Sequence, residues 1–134
     1  MIKGDVILKK IDSNNYQLFE NLTYTNSYYE INVLKGLITD GASIPRVLWN
    51  LIGSPFNGNY TFAAIIHDAL YQSEYLERSE CDKIFLDIMK ESNVSFFQRY
   101  TMYSAVRSFG WLVWKKHIKE DVLNSKKFIK VIGE

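Results

Sequence analysis

The hydrophobic period of this chain changes once, near residue 60, and that change limits the folds open to it. Before it, apolar residues alternate with polar ones, as strands with one buried face require. Val6-Ile7-Leu8 and Tyr16-Gln17-Leu18-Phe19 flank the turn cluster Asp12-Ser13-Asn14-Asn15, which predicts a hairpin. From Tyr28 to Leu34, Tyr29, Ile31 and Val33 alternate with Tyr28, Glu30 and Asn32, which predicts a third strand. From Tyr60 onward the spacing is helical, and Phe62, Ala63, Ile66, Ala69 and Leu70 make one broad apolar face. A second helix, with Ser79 as N-cap, carries Ile84, Phe85, Ile88 and Met89. A third, capped by Ser95, carries Phe96, Tyr100, Tyr103, Val106 and Trp111, with Gly110 as a bend or interruption. Pro45 is expected to open a short helix through Val47, Leu48, Trp49 and Leu51. The tail from Lys119 to Glu134 is amphipathic and receives no firm element. The expectation is one α+β domain over residues 1–134. A small antiparallel sheet occupies residues 1–38, and three main helices, two of them an antiparallel pair, occupy residues 39–134.

Hydrophobic residues make up 47% of the chain and aromatics 15%, enough to bury a core without staples. Cys81 is the single cysteine, so no internal disulfide can form, which fits a reducing compartment. A net charge of +1 argues against a nucleic-acid binder that works by neutralising phosphates. The start, Met1-Ile2-Lys3-Gly4-Asp5, does not read as a signal peptide. No run approaches the roughly 20 apolar residues of a membrane span.

Chemistry concentrates in a central block: Thr39-Asp40-Gly41-Ala42-Ser43, then His67-Asp68-Ala69-Leu70-Tyr71, then Asp82. A His-Asp pair inside an apolar helix is costly unless it has partners or a purpose. Tyr71 follows His67 by four residues and shares its face, so its hydroxyl can hold the imidazole while the other ring nitrogen acts as a base. Asp68 points elsewhere and suits a hard cation, to which Asp40 and the carbonyls of its turn would add oxygens. Asp82 reads either as a first-turn acid in a capping pattern or as the group that crosses between antiparallel helices to orient His67. Asp40 reads equally as a turn cap. A Ser43-His67-Asp82 triad is formally open, but Ser43 lacks the Gly-x-Ser-x-Gly elbow and reads first as a turn hydroxyl. Cys81 has no evident base. Trp111, Trp114, Lys115, Lys116, His117 and Lys119 read as a packed aromatic face with a solvated basic end, or as a surface for peripheral membrane contact.

Two resemblances sit on these residues. Asp40-Gly41-Ala42-Ser43-Ile44-Pro45-Arg46, Leu51-Ile52-Gly53-Ser54-Pro55, His67-Asp68-Ala69-Leu70-Tyr71 and Cys81-Asp82-Lys83-Ile84-Phe85 resemble an uncharacterised family of phage and prophage proteins. That resemblance implies a viral origin, with the host cytoplasm or the virion as location, and no particular activity. The order of the Asp-Gly-x-Ser turn, the His-Asp-x-x-Tyr helix and the Asp-x-x-Phe helix is also similar to prokaryotic calcium-dependent phospholipases of the A-two class. It implies Asp40 and Asp68 as calcium ligands, His67 as the base that activates water, and Tyr71 and Asp82 as its supports. That class normally carries disulfides around this core, which one cysteine cannot supply.

Two functions follow as expectations. One is a phage-associated ester hydrolase, with phospholipid as the foremost substrate and calcium as cofactor. The other is a non-enzymatic virion, assembly or defence-blocking protein with a phage or host partner, in which the same polar cluster fixes the fold.

Overall fold

The computed structural model describes residues 1–41, 43, 44, 49 and 59–133. The N-terminal part supplies six short strands: β1 (Ile2–Lys3), β2 (Leu8–Lys10), β3 (Tyr16–Leu18), β4 (Leu22–Thr25), β5 (Tyr29–Val33) and β6 (Ile38–Thr39). Four helices with both ends among the described residues follow: α1 (Thr61–Ser73), α2 (Arg78–Glu91), α3 (Phe96–Trp114) and α4 (Lys119–Ser125). A short 3-10 turn (Lys126–Phe128) leads into a last strand, β7 (Ile129–Gly133). The fold is therefore α+β, as the change of period predicts.

The strands form two antiparallel sheets, one ordered β1-β4-β5-β7 and the other β2-β3-β6. The predicted hairpin is β2 and β3, with Leu8 opposite Leu18 and Lys10 opposite Tyr16. Asp12 fixes its turn by accepting from the Asn14 and Asn15 backbone N–H groups. The predicted third strand is β5, trimmed to Tyr29–Val33. Leu22 and Tyr24 of β4 lie opposite Val33 and Ile31 of β5, and all four side chains are buried. Strand periodicity thus puts one face of this sheet into the core.

Three expectations need correction. The tail is ordered: β7 pairs with β5, Ile129 opposite Val33 and Val131 opposite Ile31, and closes the sheet edge. The α2 N-cap is Glu77 rather than Ser79, because the helix starts two residues earlier, at Arg78. Gly110 does not interrupt α3, which runs unbroken through it. The Ser95 cap is present, its hydroxyl accepting from the Gln98 N–H at 3.2 Å. The helix expected after Pro45 lies outside the described residues, save Trp49.

Helix α1 runs through the centre of the molecule. Only Thr61 and Gln72 escape full burial in its thirteen residues. Its flanks are α2 on one side and α4 on another, and α3 packs on α2 and reaches α1 at Tyr71. A helix enclosed on all sides must be apolar nearly all round. The exceptions, His67, Asp68 and Ser73, therefore have to find polar partners inside.

Candidate active site

The turn after β6 is set by Gly41, whose φ of +69° is easy only for glycine. Its N–H donates to the Thr39 hydroxyl, and its carbonyl accepts from the Ile44 N–H at 3.1 Å. This tight turn lays Ser43 against α1. There the Ser43 N–H donates to Asp68 Oδ1 at 3.2 Å. The Thr39 hydroxyl makes a short hydrogen bond to Asp68 Oδ2, which also accepts from Gln72 Nε2 at 2.8 Å. Asp68 thus fastens the turn to the helix through the Thr39 and Ser43 donors, while Gln72 on its own helix supplies a third.

One helical position earlier, His67 is fully buried. Its Nδ1 lies 3.0 Å from Ser43 Oγ, and its Nε2 lies 2.7 Å from Asp82 Oδ1. The imidazole is clamped between the rings of Tyr71 and Phe85, with centroids at 4.3 Å and 4.5 Å. Tyr71 donates its hydroxyl to the same Asp82 Oδ1 at 2.6 Å. The other oxygen, Oδ2, accepts from Arg107 Nη1 at 2.8 Å and Arg78 Nη1 at 3.3 Å. One carboxylate from α2 thereby collects donors from α1, α2 and α3.

These contacts set protonation. Burial pulls the Asp82 carboxyl upward, but the hydrogen bond and charge of His67, with Tyr71 and Arg107, outweigh it and leave the carboxyl below its ordinary value. Burial, and then the hydrogen bond and charge of Asp82, push the Tyr71 phenol far above its usual range, so it stays a donor. An ionised Asp82 accepts a proton-bearing Nε2 from His67. The Nδ1 lone pair then faces Ser43, whose hydroxyl can donate to it. The arrangement is a base with a fixed tautomer, aimed at a hydroxyl.

Ser43, Asp68 and Tyr71 form part of the wall of a cavity of about 840 Å³. Asp40 lines it too, together with Gln72 and, on the far side, Val113, His117 and Phe128. His117 comes from the end of α3 and pairs through Nδ1 with Glu74 at 2.7 Å. Glu74 caps α1 with a left-handed φ of 53°.

The structure places all five residues expected from the sequence around one site. His67, Tyr71 and Asp82 touch directly. Asp40 and Asp68 share the cavity wall. The donor set does not suit calcium, which takes 6–8 oxygens. Asp68 is already engaged by three donors. Among the described residues no group of three or more His, Cys, Asp or Glu side chains could hold a metal. Cys81 is buried, and burial pushes its thiol well above its ordinary value, so it is no nucleophile. Arg78 and Arg107, which bind Asp82, and Thr39 and Gln72, which bind Asp68, are polar partners that the sequence reading missed. Arg78 had a signal, standing four residues before Asp82 on a helix.

The chain belongs to the family described as a protein of unknown function (DUF1353), which its residues 16–106 match. The matched stretch includes Ser43, His67, Asp68, Tyr71 and Asp82. Over 117 residues the chain is 33% identical to the uncharacterised protein y4jT of Sinorhizobium fredii (strain NBRC 101917 / NGR234), covering 82% of this chain and 34% of that protein. Over 72 residues it is 36% identical to the uncharacterised protein y4iH of the same organism, covering 54% of this chain and 30% of that protein. It thus spans about a third of the length of these curated relatives. No solved structure matches the chain. No helix among the described residues is long and apolar enough to cross a membrane.

Proposed function

We propose that this chain is an ester hydrolase in which His67 is the base, Ser43 the nucleophile, and Asp82 and Tyr71 the positioning groups. One observation carries the reading. An unbroken series of contacts runs from Ser43 Oγ to His67 Nδ1 and from His67 Nε2 to Asp82, with Ser43 on a cavity wall.

In the reaction, the Ser43 hydroxyl attacks the ester carbonyl carbon and passes its proton to Nδ1. Asp82 stabilises the imidazolium so formed. The alcohol leaves with the proton from Nδ1, and Ser43 holds the acyl group. Water then gives a proton to Nδ1 and attacks the acyl carbon, releasing the acid and restoring Ser43. A cavity of this size suits a small or medium ligand. Leu37, Val113, Val122 and Phe128 on its wall favour an acyl chain. A lipid ester, in the phage or prophage setting that the resemblance of the motifs at residues 40–46 and 67–71 implies, is the substrate class within this proposal. The nucleophile differs from the sequence expectation, which gave His67 a water and calcium.

A second reading rests on the full burial of His67 and Asp82. In that reading the network only locks three helices together, and the chain acts through a partner.

The test uses the purified chain with fluorogenic esters of short and long acids. The account expects turnover that is indifferent to a chelator and absent in both Ser43→Ala and His67→Ala, with Ser43→Ala still folded and its melting temperature lowered by no more than several degrees. No turnover on any ester, or turnover that survives in Ser43→Ala and needs calcium, overturns it.

A further inference from the structure

Helix α3 buries one apolar side and exposes aromatic residues on the other. Met102, Ala105, Val106 and Gly110 face the core. On the opposite side Phe97, Ser104, Ser108, Trp111 and Lys115 follow each other on one stripe, with an aromatic ring near each end. Phe97 is 77% exposed and Trp111 49%, with Phe96 and Leu112 exposed beside them. Exposed apolar surface of this kind marks a docking face.

The charge pattern says what docks. From Ser95 to Lys119 the sequence has no Asp or Glu, yet carries Arg99, Arg107, Lys115, Lys116 and Lys119. The whole chain has a net charge of only +1, so positive charge is segregated onto this element. Arg107 is committed to Asp82, but the three lysines gather at the C-terminal end. Lys115 places its ammonium 4.6 Å from the Trp111 ring centroid. Aromatic anchors with flanking lysines and no acid are the composition of an element that lies in a lipid–water interface. Val113 near the end of α3, and Lys116 and His117 just beyond it, line the cavity that holds Ser43.

We propose that the outer face of α3 rests on an anionic lipid surface, with Phe97 and Trp111 entering the headgroup boundary and the lysines meeting lipid phosphates. The surface stands independently of the hydrolase reading, since lipid binding needs no turnover.

The test is co-sedimentation of the full chain with vesicles of phosphatidylcholine alone and of phosphatidylcholine mixed with phosphatidylglycerol. Binding is expected to the mixed vesicles and to fall with added salt. The pair Phe97→Ser and Trp111→Ser should weaken it about tenfold or more, given the apolar area withdrawn from lipid. Lys115→Glu should weaken it by about fivefold or more, the effect of one surface charge. Circular dichroism of each variant checks that the fold is kept, and Lys115→Glu alone suffices if the serine pair unfolds. Absence of binding to the mixed vesicles overturns the proposal, as does binding indifferent to salt and to these substitutions. Concentration-dependent dimerisation abolished by the same changes, without vesicle binding, would assign the face to a second copy and likewise overturn it.

Discussion

Replacing Gly110 by alanine should destabilise this protein, although it removes a glycine from the middle of a helix. On an exposed helix the change gains about 1 kcal/mol from propensity alone. Here a Cβ on residue 110 would stand 2.5 Å from the Tyr71 hydroxyl and 2.9 Å from Arg78 Nη1. Neither can yield freely. Tyr71 is 1% exposed, packed edge-on against Trp114 at 5.1 Å and tied to Asp82. Arg78 Nη1 is held at 2.8 Å by the Val106 carbonyl. Overpacking of this kind costs about 1–3 kcal/mol. Displacing Tyr71 from a charged acceptor costs about 1.5–3 kcal/mol. Since relief of one strain is bought by the other, the two do not add fully, and the net expectation is a loss of about 1–3 kcal/mol. Urea unfolding at constant m reads it as a lowered midpoint. In a Tyr71→Phe background the nearest clash is gone, so Gly110→Ala should cost less, giving a measurable coupling. A stabilised Gly110→Ala would refute the packing of Gly110 against the His67–Asp82 network.

Asp82→Asn should cost about 3–5 kcal/mol, because it breaks a buried ion cluster and leaves its partners unmatched. The same variant checks the pH dependence. The folded Asp82 carboxyl lies below its ordinary value of 3.8, so its contribution to stability is complete above that value and lost as pH falls through the folded one. Acid unfolding of the wild type should thus show a step below about pH 4 that Asp82→Asn lacks, read by melting temperature against pH. Thr39→Val should lower stability by about 1–3 kcal/mol, since Asp68 loses a buried donor, and denaturant titration reads it. Ser43→Ala should remove ester turnover while shifting the urea midpoint by less than about 1.5 kcal/mol equivalent, the worth of one hydrogen bond.

Much of this fold was legible because its signals are local. The Asp12–Asn15 turn, the alternation in Tyr29–Val33 and the helical spacing from Tyr60 each need only neighbouring residues. The pairing of β7 with β5 joins the two ends of the chain, and no local pattern in Ile129–Gly133 announces it. Strand β4 was passed over because Leu22-Thr23-Tyr24-Thr25 is short and sits close behind the hairpin. At the site, His67 and Tyr71 share a helical face by spacing, and Asp82 could be brought to them because a short turn folds α2 back on α1. Arg107 could not, since its reach to Asp82 depends on how α3 crosses α2. Ser43 was read first as a turn hydroxyl because nothing in Gly41-Ala42-Ser43 says which way that hydroxyl points. The left-handed Gly41 and the Asp68 carboxylate decide it, and both are tertiary facts.

The most direct test of the central claim is the intact mass of the chain after exposure to a fluorophosphonate, followed by peptide mapping. A serine whose hydroxyl is activated by His67 displaces fluoride and becomes phosphonylated. The account predicts one adduct, on Ser43, absent in both Ser43→Ala and His67→Ala. An unmodified mass under conditions that label a known serine hydrolase, or an adduct at Ser43 that persists in His67→Ala, would contradict it.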